Sequence, residues 1–90
     1  EIETVIKHNN FIPAKLKFSP KAAFRVYDEF TDKISKDNQG NLYVNIDLPD
    51  NETLFSYILS FGDNVEILEP DYLRESMKEK LTLMLEKYIT

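Results

Sequence analysis

Apolar and polar positions alternate most cleanly between residues 42 and 48. Leu42, Val44, Ile46 and Leu48 share one face, and Tyr43, Asn45 and Asp47 share the other. That period of two predicts a half-buried β-strand. The same alternation runs from Phe11 to Phe18, with Ala14, Leu16 and Phe18 on one face and Lys15 and Lys17 on the other. Between these two strands the period changes. Ala23, Val26, Tyr27 and Phe30 recur at i, i+3, i+4 and i+7, the apolar stripe of a helix over residues 20–30. Ser19 is placed to cap that helix and Pro20 to occupy its first position, where a missing N–H costs nothing.

A short strand over Thr31–Lys36 follows. The run Asp37-Asn38-Gln39-Gly40-Asn41 then reads as the turn of a hairpin, with Gly40 free to take positive φ. Beyond Pro49, Asp50 is placed to cap a second helix carrying Leu54, Tyr57, Ile58 and Phe61, and Gly62 to stop it. Val65 and Ile67 mark the inward face of a last short strand. Pro70 suits the first turn of a final helix, and Leu73, Met77, Leu81, Met84, Leu85 and Tyr88 form its stripe. Asp71–Arg74 and Glu75–Lys78 stand at i, i+3 on it.

The order is βαββαβ plus a C-terminal helix, which predicts an α+β, ferredoxin-like domain with a four-stranded antiparallel sheet. Right-handed crossovers place both internal helices on one face. The other face then carries Lys15, Lys17, Tyr43, Asn45, Asp47 and Glu66. A final helix with so long an apolar stripe must bury it in this chain or against a partner.

Ninety residues fit one small domain, and 42% hydrophobic content supplies a core and excludes a disordered chain. Residues 1–10 read as a linker or interdomain segment, and 11–90 as the domain. A start at Glu1 and not Met suggests a piece of a longer protein. With no cysteine, neither disulfides nor thiolate metal sites are available, which fits a cytoplasmic protein. No apolar run reaches the roughly 18 residues of a membrane span. Sixteen acidic residues outnumber 11 basic ones, and the net charge of −5 argues against binding duplex DNA through its phosphates.

Candidate chemistry is sparse. His8, the sole histidine, stands in the linker with no Cys, His or Ser partner pattern. Asp47 ends a strand and Asp50 precedes a helix, so the two read as structural residues and not as a catalytic pair. Residues 37–40 lack the alternating ligands and distal glutamate of a calcium loop. Asn51-Glu52-Thr53 is formally a glycosylation sequon at a helix start. An RNA-binding platform of this topology needs aromatics on its exposed strand face, where Tyr43 stands alone among acidic neighbours. No phosphate loop, dinucleotide fingerprint or nucleophile elbow occurs, so no enzyme and no cofactor is expected. Arg74 is one of two arginines in a chain that otherwise uses lysine, and its planar fork suits capture of a carboxylate or phosphate. With Lys15, Lys17 and Tyr43 it makes the candidate set for contact with a partner or effector.

Three segments then carry a resemblance: LKFSPKAAFRVYDEF (16–30), GNLYVNIDLPDNETLFSYILSFGDNVEILEP (40–70) and DYLRESMKEKLTLMLEKY (71–88). In this order and spacing they resemble the WCX domain, the C-terminal extension of WYL-domain transcriptional regulators of the DeoR type. The LKFSP opening, the SFG and VEILEP pieces and the LRE motif are its most specific parts. The resemblance implies a non-catalytic module of a bacterial regulator, whose DNA-binding helix-turn-helix and effector-sensing WYL domain are not in this sequence. It also implies homodimerisation and packing against a WYL domain, within or between subunits. Phe61, Gly62, Leu68, Pro70, Leu73 and Arg74 match the family pattern, the first five in structural roles. The alternative is a free-standing, homodimeric small-ligand sensor of the same topology.

Overall fold

The structure, a computed structural model, describes residues 10–31 and 34–89. His8 and nearly all of the expected linker lie outside the described residues. Four strands, β1 (Phe11–Phe18), β2 (Ile34–Lys36), β3 (Leu42–Pro49) and β4 (Val65–Glu69), form one sheet in the order β2-β3-β1-β4. Every neighbouring pair is antiparallel. Three α-helices, α1 (Ala23–Glu29), α2 (Glu52–Leu59) and α3 (Asp71–Glu86), complete an α+β fold. The strand order is consistent with the ferredoxin-like arrangement. Residues 32 and 33, in the expected second strand, fall outside the described residues.

Alternation decides which strand face is sealed. Leu16 and Phe18 on β1, and Leu42, Val44 and Leu48 on β3, are buried, and Ile67 on β4 joins them. Val26, Leu54, Ile58, Phe61, Leu73 and Met77 cover that face from the helix side. Phe18 anchors the layer, with its ring centroid 4.8 Å from that of Phe61 and 5.8 Å from that of Phe30. Each fully buried side chain of this size contributes about 1.5–3 kcal/mol. Pro13 stands in β1 beyond the end of β4, where that strand has a neighbour on one side only. This is the setting in which a strand tolerates proline. Between Lys15 and Leu16 the pairing with β4 slips by one residue, passing over Leu68.

Several local expectations are corrected. Residues 20–22 form a 3-10 turn before α1 begins, with Ser19 at its N-cap position and Pro20 at its first, but the Ser19 side chain makes no capping hydrogen bond. Its hydroxyl instead donates to the Asn64 side-chain oxygen at 2.7 Å, and its backbone N–H donates to the Asn64 carbonyl. Tyr27 is 52% exposed and outside the core, because α1 is short and turns only Val26 fully inward. Asn51, not Asp50, caps α2: it takes extended backbone angles and its side-chain oxygen accepts from the Thr53 N–H. The helix ends at Leu59 with Ser60 as its C-cap, and Gly62 follows with φ +63° at the head of a 3-10 turn. Pro70 occupies the N-cap position of α3, one residue earlier than expected. Among the described residues, neither Asp71–Arg74 nor Glu75–Lys78 forms an ion pair.

Candidate interaction surfaces

The stripe of α3 is continuous in sequence but not in burial. Leu73 and Met77 are buried against the body of the domain. Lys80 makes the last contacts given for α3 with α2, its ammonium 3.8 Å from Glu52 and 5.0 Å from the Phe55 ring centroid. Beyond it Leu81, Met84, Leu85, Tyr88 and Ile89 are exposed, from 41% at Met84 to 86% at Tyr88. On a helix Met84 and Tyr88 follow Leu73 and Met77 along nearly one line. The face that seals the core thus runs bare beyond it.

Beside this ridge lies a half-open groove of about 440 Å³. Ile58 and Leu59 of α2, with Val65 and Ile67 of β4, line one side, and α3 forms the other with Lys78 and Leu81 among its walls. Arg74 also lines it. The Nη1 of Arg74 donates to the Ile67 carbonyl at 2.6 Å and lies 3.2 Å from a Glu66 carboxylate oxygen. The expected partner, Asp71, is replaced by strand β4, which the turn through Pro70 brings alongside the helix. Arg74 therefore staples the start of α3 to the edge of the sheet.

The second surface is the face of the sheet that carries Lys15, Lys17 and Tyr43. Lys15 stands opposite Asn45 and Glu69, and Lys17 opposite Tyr43 and Glu66. The lysines therefore sit between neighbours that include two acids, and do not form an isolated basic patch. Tyr43 is fixed by the hairpin turn, its hydroxyl donating to the Asp37 carboxylate at 2.9 Å. That carboxylate also accepts from the N–H groups of Gln39 and Asn41 and from the Asn41 side-chain amide. Desolvation alone would raise the Asp37 pKa, but these donors win and hold it at about 2. The hydrogen bond to Asp37 pushes the Tyr43 phenol up, with desolvation adding to it. The structure keeps Arg74 apart from the two lysines in its contacts, although Glu66 touches one set and opposes the other.

A third cluster was not anticipated. Arg25 bridges α1 and α2: its Nε donates to Glu29 at 2.7 Å, and Nη1 and Nη2 donate to the Ser60 carbonyl and hydroxyl at 3.1 and 2.8 Å. The guanidinium lies 3.6 Å from the Phe61 ring centroid, within the range of a cation–π contact. Tyr57 donates to the other Glu29 oxygen at 2.8 Å. Hydrogen bonds from Arg25 and then Tyr57 lower the Glu29 pKa, while burial and the Glu29 carboxylate raise that of Tyr57. The i, i+4 spacing of Arg25 and Glu29 was visible in the sequence, whereas the bonds to Ser60 span 35 residues and were not. Every nitrogen of Arg25 is engaged, so the cluster acts as a clamp between helices.

Among the described residues, no group of three or more His, Cys, Asp or Glu side chains could hold a metal ion. No described helix is long and apolar enough to cross a membrane. The arrangement is that of a small α+β domain with a half-seated helix at one edge of its sheet. Comparison with known families agrees: a model of the WCX domain matches residues 10–85, and the chain belongs to that family. WCX domains are regulatory modules associated with WYL-type regulators. No curated protein and no solved structure matches the chain.

Proposed function

We propose that this chain is the non-catalytic C-terminal module of a bacterial WYL-type helix-turn-helix regulator of the DeoR type, acting in the cytoplasm. It supports homodimerisation and couples effector sensing to DNA binding by domains outside this sequence. One observation carries the reading: a WCX match over residues 10–85 on a fold whose last helix leaves its apolar stripe uncovered. Lys15, Lys17 and Tyr43 then serve as polar contacts to a WYL domain, of the same or the other subunit. Arg74 reaches such a partner with the donors that Glu66 and Ile67 leave free.

Net charge −5 and lysines set opposite glutamates support DNA contact by other domains and not by this one. The test is a gel shift with a randomised duplex library at physiological salt, using this chain alone. No retarded species is expected, and a tight, sequence-selective shift would overturn the assignment. The coding sequence upstream of Glu1 gives an independent check, with a helix-turn-helix followed by a WYL domain as the expected order. A second reading, a small-ligand sensor, rests on the groove of about 440 Å³ between α3 and β4. A metabolite that raises the melting temperature in a thermal-shift screen would favour it.

A further inference from the structure

We propose that the groove between α3, α2 and β4 binds a free, medium-chain acyl carboxylate, with its head between Arg74 and Lys78 and its chain running toward Leu85. The inference rests on the small-ligand reading above and gives that ligand a chemical class and an orientation.

Three observations carry it. The first is what the groove leaves uncovered. Leu81 and Leu85, 45% and 57% exposed, stand across the gap from Ile58, Leu59, Val65 and Ile67. A single chain laid between these walls takes both of them out of water. The apolar walls are aliphatic throughout, with no ring to stack a planar ligand, which suits a run of methylenes. The second is size. A volume of about 440 Å³ is that of a small-molecule site, whereas two turns of a docked helix displace roughly 850 Å³. From Arg74 to Leu85 the helix rises about 16 Å, the length of an extended chain of about twelve carbons. The third is polarity along the groove. Arg74, Lys78, Leu81 and Leu85 follow at i, i+4, i+7 and i+11 on one helical line, so the groove is cationic at one end and apolar at the other. Glu66 and Glu75 also line it. Glu66 meets Arg74 through Nη1, and among the described residues Nε and Nη2 have no partner. Lys78 has no ion-pair partner among them either. Two cations one turn apart can share one carboxylate through charge-assisted hydrogen bonds.

Isothermal titration calorimetry of the full 90-residue chain with sodium dodecanoate, kept below its micelle-forming concentration, tests the site. Saturable one-to-one binding is expected, and decanoate should bind about tenfold more weakly for its shorter chain. The deciding control is dodecyltrimethylammonium, the same tail on a cation. A chain of net charge −5 that merely adsorbed surfactant would favour the cation. Dodecanoate should instead bind about tenfold tighter than the ammonium, because its head meets Arg74 and Lys78. Lys78→Glu, at an exposed position, should weaken dodecanoate about tenfold with an unchanged far-UV circular dichroism spectrum, and Lys78→Arg should stay within about threefold of wild type. Absence of saturable binding, equal affinity for the two head groups, or indifference to Lys78→Glu overturns the proposal. If dodecanoate fails while another metabolite still raises the melting temperature, the acyl carboxylate falls and the small-ligand reading stands. If both fail, both fall, and the regulatory reading still rests on its DNA test.

Discussion

Leu73 and Met77, in the first half of α3, are sealed against the sheet and α2, while Leu81 and Leu85, further along the same helix, stand in solvent. Both halves have comparable apolar content, so local sequence does not explain the difference. What differs is what lies beneath. The first half runs beside β4, to which Arg74 fastens it, and over α2, which its contacts leave at Lys80. The second half, through Leu81 and Leu85, stands across a half-open groove from Ile58 and Leu59 of α2 and Val65 and Ile67 of β4, and so is left uncovered. A helix pattern records how much surface must be buried, but whether the same chain supplies the covering depends on how closely its other elements approach the helix.

The largest way to break the comparison is truncation of one side chain in each half. Leu73→Ala, at 3% exposure, should cost about 2–4 kcal/mol in a urea melt, the usual range for a buried leucine. Leu85→Ala, measured at low protein concentration, should cost less than about 0.5 kcal/mol, as an exposed substitution does. Equal costs would mean that the second half is packed within a single chain. Arg74→Ala comes next. It leaves the Ile67 carbonyl without its side-chain donor and Glu66 without its cation, at about 1–2 kcal/mol. Amide hydrogen exchange should rise over residues 71–77, with little change over 84–88. A uniform rise along the helix would show that its two halves open together.

The element order, the inward faces of β1, β3 and β4 and the turn at Gly40 were legible, because each depends on spacing within a few residues. The stripe of α3 was legible as well, together with its need for cover. What was not legible came from distance along the chain. Ser19 finds Asn64 and Arg25 finds Ser60 only after the sheet has brought the two halves of the domain together. Arg74 chooses Glu66 over the nearer Asp71 because β4 lies alongside the helix. Tyr27 fell on the expected stripe, yet α1 is only seven residues long, and a helix of two turns covers less of the sheet than its pattern offers. Lys15, Lys17 and Tyr43 were found by their strand positions, but the hydrogen bonds from four donor groups that saturate Asp37, one of them the Tyr43 hydroxyl, needed the folded hairpin.

Acid sharpens the comparison by acting on a region away from α3. The Asp37 carboxyl sits at about 2 in the fold against an ordinary value of 3.8, so its ionised form is favoured by folding. That stabilisation is complete above the ordinary value and is lost as pH falls through about 2. The Asp37 side-chain carbonyl resonance should titrate near 2, and Asp37→Asn should flatten the loss of stability between about pH 4 and pH 2. An Asp37 midpoint near 4 would mean that the turn does not hold its donors in solution. The Leu73 and Leu85 comparison, repeated in the Asp37→Asn background, should keep its difference, since the hairpin turn touches neither half of α3.

The smallest effect fixes where the two halves meet. Lys80 pairs with Glu52 at 3.8 Å, but Glu52 is 90% exposed, and exposed pairs of this kind contribute about 0–1 kcal/mol. Its ammonium stands 5.0 Å from the Phe55 ring centroid, within cation–π range at an exposed site. Lys80→Met keeps the aliphatic stem over the ring and removes the charge, so it should cost no more than about 0.5 kcal/mol. Raising salt to 1 M should remove most of even that, because the contact is screened. If Lys80→Met instead costs as much as Arg74→Ala, the seated half of α3 is held by charge at both ends and its boundary moves beyond Lys80. If the cost is as small as expected, the boundary is set by apolar cover, and Met77 is the last residue of α3 that the domain seals for itself.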